Sequence, residues 1–224
     1  MKNTSLAFLL ILSSLGAFAQ KSVGFRGSFT ASTLTKFALI ENITPDFKLR
    51  PAASGAIFLE LPITQSFSIQ PELEYSMKGF SIREGINKNG EFLGVNIPIN
   101  AKLTFKTDYI QAPILAKFKF GEPDQTNFYV AVGPAVGVLA NSGLRINVFN
   151  IFPINTNLSK DFFKPVEFSG VAAMGIEQPF TPKLAFFVEG RYQHGFSRIL
   201  DTPIVRLPVR SRTVNASMGF KVKI

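Results

Sequence analysis

Apolar residues occupy every second position of a stretch that runs from residue 67 to residue 78. One face carries Phe67, Ile69, Pro71, Leu73, Tyr75 and Met77, and the other carries Ser68, Gln70, Glu72, Glu74, Ser76 and Lys78. Neighbouring side chains of a β-strand point to opposite sides of a sheet, so a period of two predicts a strand. In a soluble sandwich the apolar face would be the core. In a membrane barrel it meets lipid, and the charged face lines the lumen.

The same pattern recurs along the chain and predicts about eight strands, joined by connections that alternate in length. The predicted strands are 23–32, 52–61, 67–80, 109–120, 128–139, 167–178, 184–193 and 213–224. The short connections contain the Pro, Gly and Asp residues typical of reverse turns, and they are 62–66, 121–126 and 179–183. The long connections are 33–51, 81–108, 140–166 and 195–212.

Short turns on one side and long loops on the other, with both termini on the short side, are typical of outer-membrane barrels. The sequence therefore predicts an all-β fold. It is an antiparallel up-and-down transmembrane β-barrel of about eight strands, with long extracellular loops and short periplasmic turns. A soluble periplasmic barrel that holds an apolar ligand is an alternative, and it would need an apolar interior.

Two features of the strand pattern leave its details open. Pro71, Pro113 and Pro134 lie inside predicted strands, where a proline removes a ladder hydrogen bond and favours a bulge. Residues 93–105 also alternate, but in the opposite phase to the rest of the fourth strand. We interpret them as an extension of that strand above the membrane, with a phase-shifting bulge near residues 107–108. A barrel of about ten strands is the alternative interpretation.

The N-terminal segment has the pattern of a cleavable export signal. Lys2 is followed by an apolar stretch and an Ala-Phe-Ala cleavage site, so cleavage is expected between Ala19 and Gln20. The sequence therefore predicts a signal peptide over 1–19 and a barrel domain over 20–224, located in the cell outer membrane. The chain has no Cys, which excludes disulfides, thiolate metal sites and a lipoprotein anchor.

The formal net charge of +9 favours anionic partners such as lipid phosphates. Nucleic acid is not expected as a partner, because the chain carries an export signal and no aromatic-basic RNA motif. No acidic cluster has calcium-loop spacing. Basic neighbours explain the acidic pair Glu72 and Glu74 more simply than a metal or an acid-base pair does. We therefore expect neither a cofactor nor a metal.

Thirteen charged residues fall on the faces predicted to line the lumen. They are Arg26, Glu60, Glu72, Glu74, Lys78, Lys117, Lys119, Glu167, Glu177, Glu189, Arg191, Lys221 and Lys223. A barrel of about eight strands is just wide enough for side chains to fill its interior, and an unpaired buried ion costs several kcal/mol. The sequence therefore predicts a lumenal network of Glu with Lys and Arg, in which Arg191 forks onto a carboxylate. A narrow channel for small solutes is the alternative.

His194 is the single histidine of the chain, so a lipid-modifying enzyme that depends on histidine would have to use it. Such barrels place His and Ser on one lipid-facing strand end. Ser197 lies three positions away, on the opposite face if the strand continues, and no G-x-S-x-G string occurs. We expect no catalytic residues and place His194 at the barrel rim. A lipid-modifying enzyme is the less favoured alternative.

Four arginines lie in or beside the last long loop: Arg198, Arg206, Arg210 and Arg212. Within that loop, only Asp201 opposes them. Arginine is well suited to phosphate contacts, so we expect these residues to contact lipopolysaccharide phosphates. A solvated loop with surplus charge explains them equally well.

Three strings resemble the PorT-like outer-membrane β-barrel family of Gram-negative bacteria. They are residues 70–79 (QPELEYSMKG), 109–118 (YIQAPILAKF) and 189–196 (EGRYQHGF), and the resemblance covers most of the mature chain. It implies a small closed barrel with polar residues inside. The family's name-giving branch is associated with protein secretion across the outer membrane, which makes an envelope or secretion-system protein a candidate partner. The resemblance implies no catalytic residues, so we expect a structural or interaction protein that presents loops at the cell surface.

Overall fold

The computed structural model describes residues 21–35, 47–83, 91–92, 95–96, 101–122, 125–148, 152–157, 164–197 and 210–224. The predicted signal peptide with its cleavage site, as well as Arg198 and Arg206, lies outside these residues. The described residues form β-strands and the turns that join them. No helix long and apolar enough to cross a membrane occurs within them.

The described part of the chain contains twelve strands, of which eight are long and four are short. They are β1 (Ser22–Thr35), β2 (Phe47–Lys48), β3 (Arg50–Pro62), β4 (Phe67–Arg83), β5 (Glu91–Phe92), β6 (Val95–Asn96), β7 (Ala101–Phe120), β8 (Asn127–Val148), β9 (Phe152–Asn157), β10 (Val166–Pro179), β11 (Leu184–Gly195) and β12 (Arg210–Lys223). The short strands β2 and β9 extend the sheet at the end away from the short turns, where they pair with β4 and β8. The short strands β5 and β6 pair with each other.

The eight strands β1, β3, β4, β7, β8, β10, β11 and β12 form a closed barrel. Each pairs antiparallel with its neighbour in that order. The first and last strands then pair with each other, from Ser22 opposite Lys223 to Thr35 opposite Arg210. The predicted all-β, up-and-down barrel of about eight strands is therefore confirmed, and the ten-strand alternative is wrong.

The two faces of the barrel wall differ sharply in polarity, as the period-two pattern predicts. Phe25 is 57% exposed on the outer face, while its chain neighbour Arg26 is 3% exposed inside. Large apolar side chains are exposed in the same way on all eight barrel strands. An apolar surface of this extent marks contact with a membrane, and the charged interior excludes the alternative of a soluble barrel around an apolar ligand.

Phenylalanine rings form a belt on the outer face near the short turns, at the end that we assign to the periplasm. Along one side, the ring centroids of Phe180 and Phe186 are 6.3 Å apart, those of Phe186 and Phe220 are 5.2 Å apart, and those of Phe220 and Phe25 are 5.7 Å apart. Further rings continue the belt on β4, β7 and β8: Phe67, Phe118, Phe120 and Phe128. Aromatic girdles of this kind lie at the edge of the lipid-facing band.

Strands β7 and β8 are longer than the rest of the wall, with 20 and 22 residues against 12 in β11. Their register shifts between Asp108 and Tyr109, which confirms the predicted bulge. Beyond the shift, β8 continues to Val148 and pairs with β9 instead of β10. The prediction that the fifth strand ends at residue 139 is therefore wrong. We call this part of the sheet, formed by the upper ends of β7 and β8 with β9, the raised panel.

The bulges predicted at Pro71, Pro113 and Pro134 are wrong. The ladder pairs on both sides of each proline follow one register, although one ladder is interrupted at each of them: β3–β4 at Pro71, β4–β7 at Pro113 and β7–β8 at Pro134. Pro134 lies opposite Gly170 in an unbroken ladder with β10. A proline removes only its own N–H from the ladder, and the remaining bonds of these strands hold the register.

Candidate functional site

The first charged group of the lumen joins β1, β4 and β11, and we call it the arginine cluster: Arg26, Glu72, Glu74, Glu189 and Arg191. Both guanidinium groups fork onto Glu72. Arg26 Nη1 and Nη2 lie 3.1 and 3.0 Å from its two carboxylate oxygens, and Arg191 Nη1 and Nη2 lie 2.8 and 3.0 Å from them. Arg26 also donates to Glu74 at 2.8 Å, and Arg191 Nε donates to Glu189 at 3.0 Å. Each of these side chains is at most 2% exposed.

The arginine cluster holds two cations and three carboxylates, so it carries one surplus negative charge. Two neutral side chains donate further hydrogen bonds to its carboxylates. Gln70 Nε2 lies 2.7 Å from Glu72 Oε1, and the Tyr129 hydroxyl lies 3.0 Å from Glu189 Oε2. Buried ion pairs are stable only where such extra donors satisfy the remaining lone pairs, so Gln70 and Tyr129 belong to the cluster's support.

The second charged group lies nearer the periplasmic turns, and we call it the lysine cluster: Glu60, Lys117, Lys119, Glu177 and Lys221. Lys117 Nζ lies 3.0 Å from Glu60 and 3.4 Å from Glu177. Lys221 Nζ lies 3.0 Å from Glu60 and 2.7 Å from Glu177. Lys119 pairs with Glu60 and lies 3.8 Å from Glu177. Three cations share two carboxylates, so this cluster carries one surplus positive charge.

An aromatic group that the sequence analysis missed contacts both clusters. Lys117 Nζ lies 4.0 Å from the centroid of the Tyr129 ring, whose hydroxyl reaches Glu189. Phe58 and Phe187 pack with Tyr129, and the centroids of the two Phe rings are 5.6 Å apart. Phe58 and Phe187 have the same parity as the lumenal charges of their strands, and this parity was the signal that would have found them.

Glycines make room for these rings inside the barrel. A Cβ atom at Gly24 would lie 2.3 Å from the Phe58 ring, and one at Gly219 would lie 2.6 Å from the Phe187 ring. By contrast, a Cβ atom at Gly27 would meet no atom within 4 Å. The lumen is therefore filled by large aromatic side chains that pack over wall positions without side chains.

A third, balanced ion pair lies toward the extracellular end. Lys78 Nζ lies 2.8 Å from Glu167 Oε2, and Gln111 Nε2 lies 3.4 Å from the same oxygen. The Ser211 hydroxyl donates to the other oxygen of Glu167. Lys78 also lies 5.6 Å from the centroid of the buried Tyr109 ring. This end of the lumen is thus closed by polar contacts as well.

The structure places twelve of the thirteen predicted lumenal charges in ion pairs of at most 4.0 Å. They are Arg26, Glu60, Glu72, Glu74, Lys78, Lys117, Lys119, Glu167, Glu177, Glu189, Arg191 and Lys221. Lys223 is partly exposed and lies at the periplasmic mouth. Six acidic and six basic side chains therefore balance within this set.

Cavities of different size lie along the lumen of the described residues. The periplasmic end opens into a cavity of about 290 Å³ that is bounded by the lysine cluster. Near the extracellular end, a cavity of about 10 Å³ lies beside Lys78 and Tyr109, which is room for one water molecule at most. Within the described residues, no three His, Cys, Asp or Glu side chains are grouped to hold a metal ion.

His194 lies near the extracellular end of β11, at the rim of the barrel. It is half-buried, and its ring centroid lies 6.4 Å from that of Tyr192 and 5.9 Å from that of Phe196. Ser197 Oγ accepts a hydrogen bond from the Phe168 N–H at 2.9 Å. His194 and Ser197 do not form a hydrogen bond with each other, so the described rim shows no nucleophile and base in contact.

Of the four arginines predicted to contact lipid phosphates, Arg210 and Arg212 lie within the described residues. Both have the outward parity of β12: Arg212 lies two positions and Arg210 four positions before the exposed Val214. Arg212 pairs across the ladder with His194 on one side and Thr33 on the other. The structure therefore brings Arg212 and His194 to one place on the outer wall.

An outer apolar belt, a charged filled lumen and short turns at one end define this molecule as an outer-membrane β-barrel protein. Residues 18–201 match the family model described as outer membrane protein beta-barrel domain. The chain belongs to this family, whose members reside in the outer membrane. The sequence matches none of the curated proteins with which it was compared.

Several solved structures are similar to this chain. The outer membrane protein OprG from Pseudomonas aeruginosa aligns with a TM-score of 0.52 and 10% identity, over 94% of this chain and 98% of that one. Neisserial surface protein A aligns with a TM-score of 0.45 and 10% identity, over 90% of this chain and 97% of that one. The outer membrane protease OmpT from Escherichia coli aligns with a TM-score of 0.39 and 9% identity, over 94% of this chain and 100% of that one. At these identities the likeness shows the fold alone.

Proposed function

We propose that this protein is a non-conducting outer-membrane scaffold of the PorT-like type, which presents its extracellular side to a partner in the cell envelope. The observation that carries the proposal is the arginine cluster, in which two guanidinium groups share the carboxylate of Glu72. Its side chains come from three strands and are almost fully buried. A lumen filled in this way supports a structural role in the membrane more than a transport role.

The filled lumen argues against the alternative of a narrow channel for small solutes. A solute would have to separate Glu72 from Arg26 and Arg191, and breaking a buried ion pair costs about 3–5 kcal/mol. It would also have to pass the aromatic rings of Phe58 and Phe187. An interior of eight strands leaves no width to move around them.

Planar-bilayer conductance tests the closed lumen. We expect the wild-type barrel to pass almost no current, and we expect a double variant with Glu72→Ser and Arg191→Ser to show ion conductance. The control Lys106→Gln carries its change on the outward side of β7 and should stay closed. Steady wild-type conductance that the double variant leaves unchanged would refute the proposal.

The raised panel supports the proposed contact with an envelope or secretion-system protein. It extends β7 and β8 beyond the rim, and β9 adds a further strand to it. Cross-linking in whole cells followed by purification in detergent would test this contact. Replacing residues 142–157 with a short turn should abolish the specific cross-linked product while the barrel still assembles. A product that survives the deletion would show that the panel is not the contact.

Lipopolysaccharide is the proposed lipid partner of the outer wall, and Arg212 next to His194 supports this proposal. Guanidinium groups form strong paired hydrogen bonds with phosphate oxygens. We expect Arg210→Gln combined with Arg212→Gln to weaken lipopolysaccharide binding, measured with the barrel in detergent. Lys21→Gln, exposed at the periplasmic end and outside the cavity lining, is the matched control. Unchanged binding in the double variant would dismiss the idea.

We also propose that the protein is not an enzyme. His194 packs with Tyr192 and Phe196, and Ser197 is engaged by the backbone of β10. His194→Ala should therefore leave the lipid A composition of cells that overexpress the protein unchanged. Mass spectra in which a lipid A modification disappears with this variant would overturn this proposal.

A further inference from the structure

The periplasmic cavity is bordered by more positive than negative charge. Its charged lining consists of four lysines and two glutamates: Glu60, Lys119, Glu177, Lys183, Lys221 and Lys223. This is a formal excess of two positive charges around about 290 Å³. A concave surface with charge of one sign and walls of low dielectric concentrates counter-ions, so the cavity has the electrostatics of an anion site.

The inner wall of the cavity is built from the buried lysine cluster rather than from surface side chains. The side chains of Lys221 and Lys119 are 4% and 20% exposed, against 1% and 6% for Glu60 and Glu177. Lys119 is therefore the most open of these four side chains, whereas Lys221 is as buried as the two glutamates. A lysine ammonium group is a compact point charge with three donors. The three donors of Lys221 are engaged by Glu60 and Glu177, whereas the more exposed Lys119 can turn toward an added oxyanion without leaving the cluster.

From this geometry we propose that the cavity is a binding site for a small oxyanion, a phosphate or a carboxylate, that enters from the periplasm. Lys119 supplies the inner contact, Lys221 adds positive charge behind it, and Lys183 lies among the residues that line the mouth. The proposal is independent of the closed lumen, because the lysine cluster ends the cavity on its inner side. A barrel that binds no anion would still be closed.

Isothermal titration calorimetry at low salt tests the site, with the folded barrel in an uncharged detergent. Inorganic phosphate and succinate are the probes, and glycerol is the neutral control. We expect saturable binding of at least one anion and none of glycerol. Binding of phosphate alone, of succinate alone or of both would support the site and would identify which oxyanion the cavity accepts. No saturable binding of either anion would overturn the proposal.

Variants locate the binding. Lys119→Gln combined with Lys183→Gln should weaken anion binding by about tenfold or more, because charge-assisted contacts are lost. Both lysines are at least partly exposed, so the barrel should still fold, and circular dichroism checks this. Lys106→Gln, near the extracellular end, should leave the affinity unchanged. Equal affinities in the double variant and the wild type, or equal losses in the double variant and Lys106→Gln, would refute the site.

Discussion

The arginine cluster and the lysine cluster are built from the same material, inward-facing charges on neighbouring strands, but they have opposite surplus charge and different access. The first holds three carboxylates around two planar guanidinium groups and has no exposed side. The second holds three ammonium groups around two carboxylates and borders a cavity. Fork-like bidentate geometry fixes positions, whereas ammonium groups adapt to several acceptors. One cluster is therefore suited to sealing the barrel and the other to exchanging partners.

The surplus charges also explain why the two clusters lie next to each other. The surplus negative charge of the arginine cluster and the surplus positive charge of the lysine cluster offset each other. Tyr129 lies between the clusters and contacts Lys117 with its ring and Glu189 with its hydroxyl. The loss of stability on removing a charge from either cluster should therefore depend on the sign of that charge. Removing a charge of the less numerous sign, an arginine of the first cluster or a glutamate of the second, should be costly. Removing a charge of the more numerous sign, the majority charge, should be mild.

Arg191→Gln should give the largest effect. It leaves three buried carboxylates with Arg26 alone, and removing one partner of a buried ion pair costs about 3–5 kcal/mol of unfolding free energy. Urea unfolding of the barrel in detergent, followed by circular dichroism, measures the loss. Glu74→Gln removes a majority charge from the same cluster and should cost far less. Equal losses for both variants would contradict the role of the surplus.

Glu60→Gln should come next. It leaves three lysines with Glu177, but the adjoining cavity lets water approach the remaining charges. We therefore expect about 3 kcal/mol, at the lower end of the cost for a broken buried pair. The same urea titration measures it, with Glu122→Gln in an exposed turn as the control. A loss larger than that of Arg191→Gln would mean that the cavity gives the lysine cluster no relief.

Tyr129→Phe should have an intermediate effect, because it removes a single donor between the clusters. A hydrogen bond to a charged acceptor contributes about 1.5–3 kcal/mol, and the ring that covers Lys117 is retained. Comparing this variant alone and combined with Glu189→Gln gives the coupling energy between the two residues. Strict additivity of the two losses would show that the hydroxyl does not stabilise Glu189.

Lys119→Met should give the smallest effect, below about 1 kcal/mol, as expected for a partly exposed ion pair. It removes a majority charge and leaves two lysines opposite two glutamates. Lys117→Met is the matched comparison, because Lys117 is more buried and packs on Tyr129. A greater loss for Lys119→Met than for Lys117→Met would reverse the order that burial predicts.

Parity along the strands predicted most of the fold and most of the charged lumen. Arg26, Glu72 and Arg191 were assigned to the interior because each alternates with an apolar neighbour. Which charges meet was not predictable, because that depends on the register of strands far apart in the chain. The lumenal position of Phe58 was missed because polarity, rather than parity alone, was used to choose the interior residues.

The backbone details were less predictable. The bulge near Asp108 was read correctly from a change of phase, because a shifted register exchanges the two faces. The prolines gave the wrong prediction because their local effect was small against the ladders on both sides of each strand. The full length of β8 was missed because its upper part pairs with β9, which has no strong alternation of its own.

The pairing of β1 with β12 has a consequence for biogenesis. One edge of β1 pairs with the nearby β3, but on the other edge Ser22 pairs with Lys223, about two hundred positions later, so that edge stays unpaired until synthesis is almost finished. Contacts between residues so distant in sequence form slowly. The apolar outer faces of the strands are meanwhile not yet covered by lipid, and exposed apolar surface of this kind makes an unassembled chain prone to aggregation. Truncating the last strand should leave the chain unassembled, however intact the rest of its sequence.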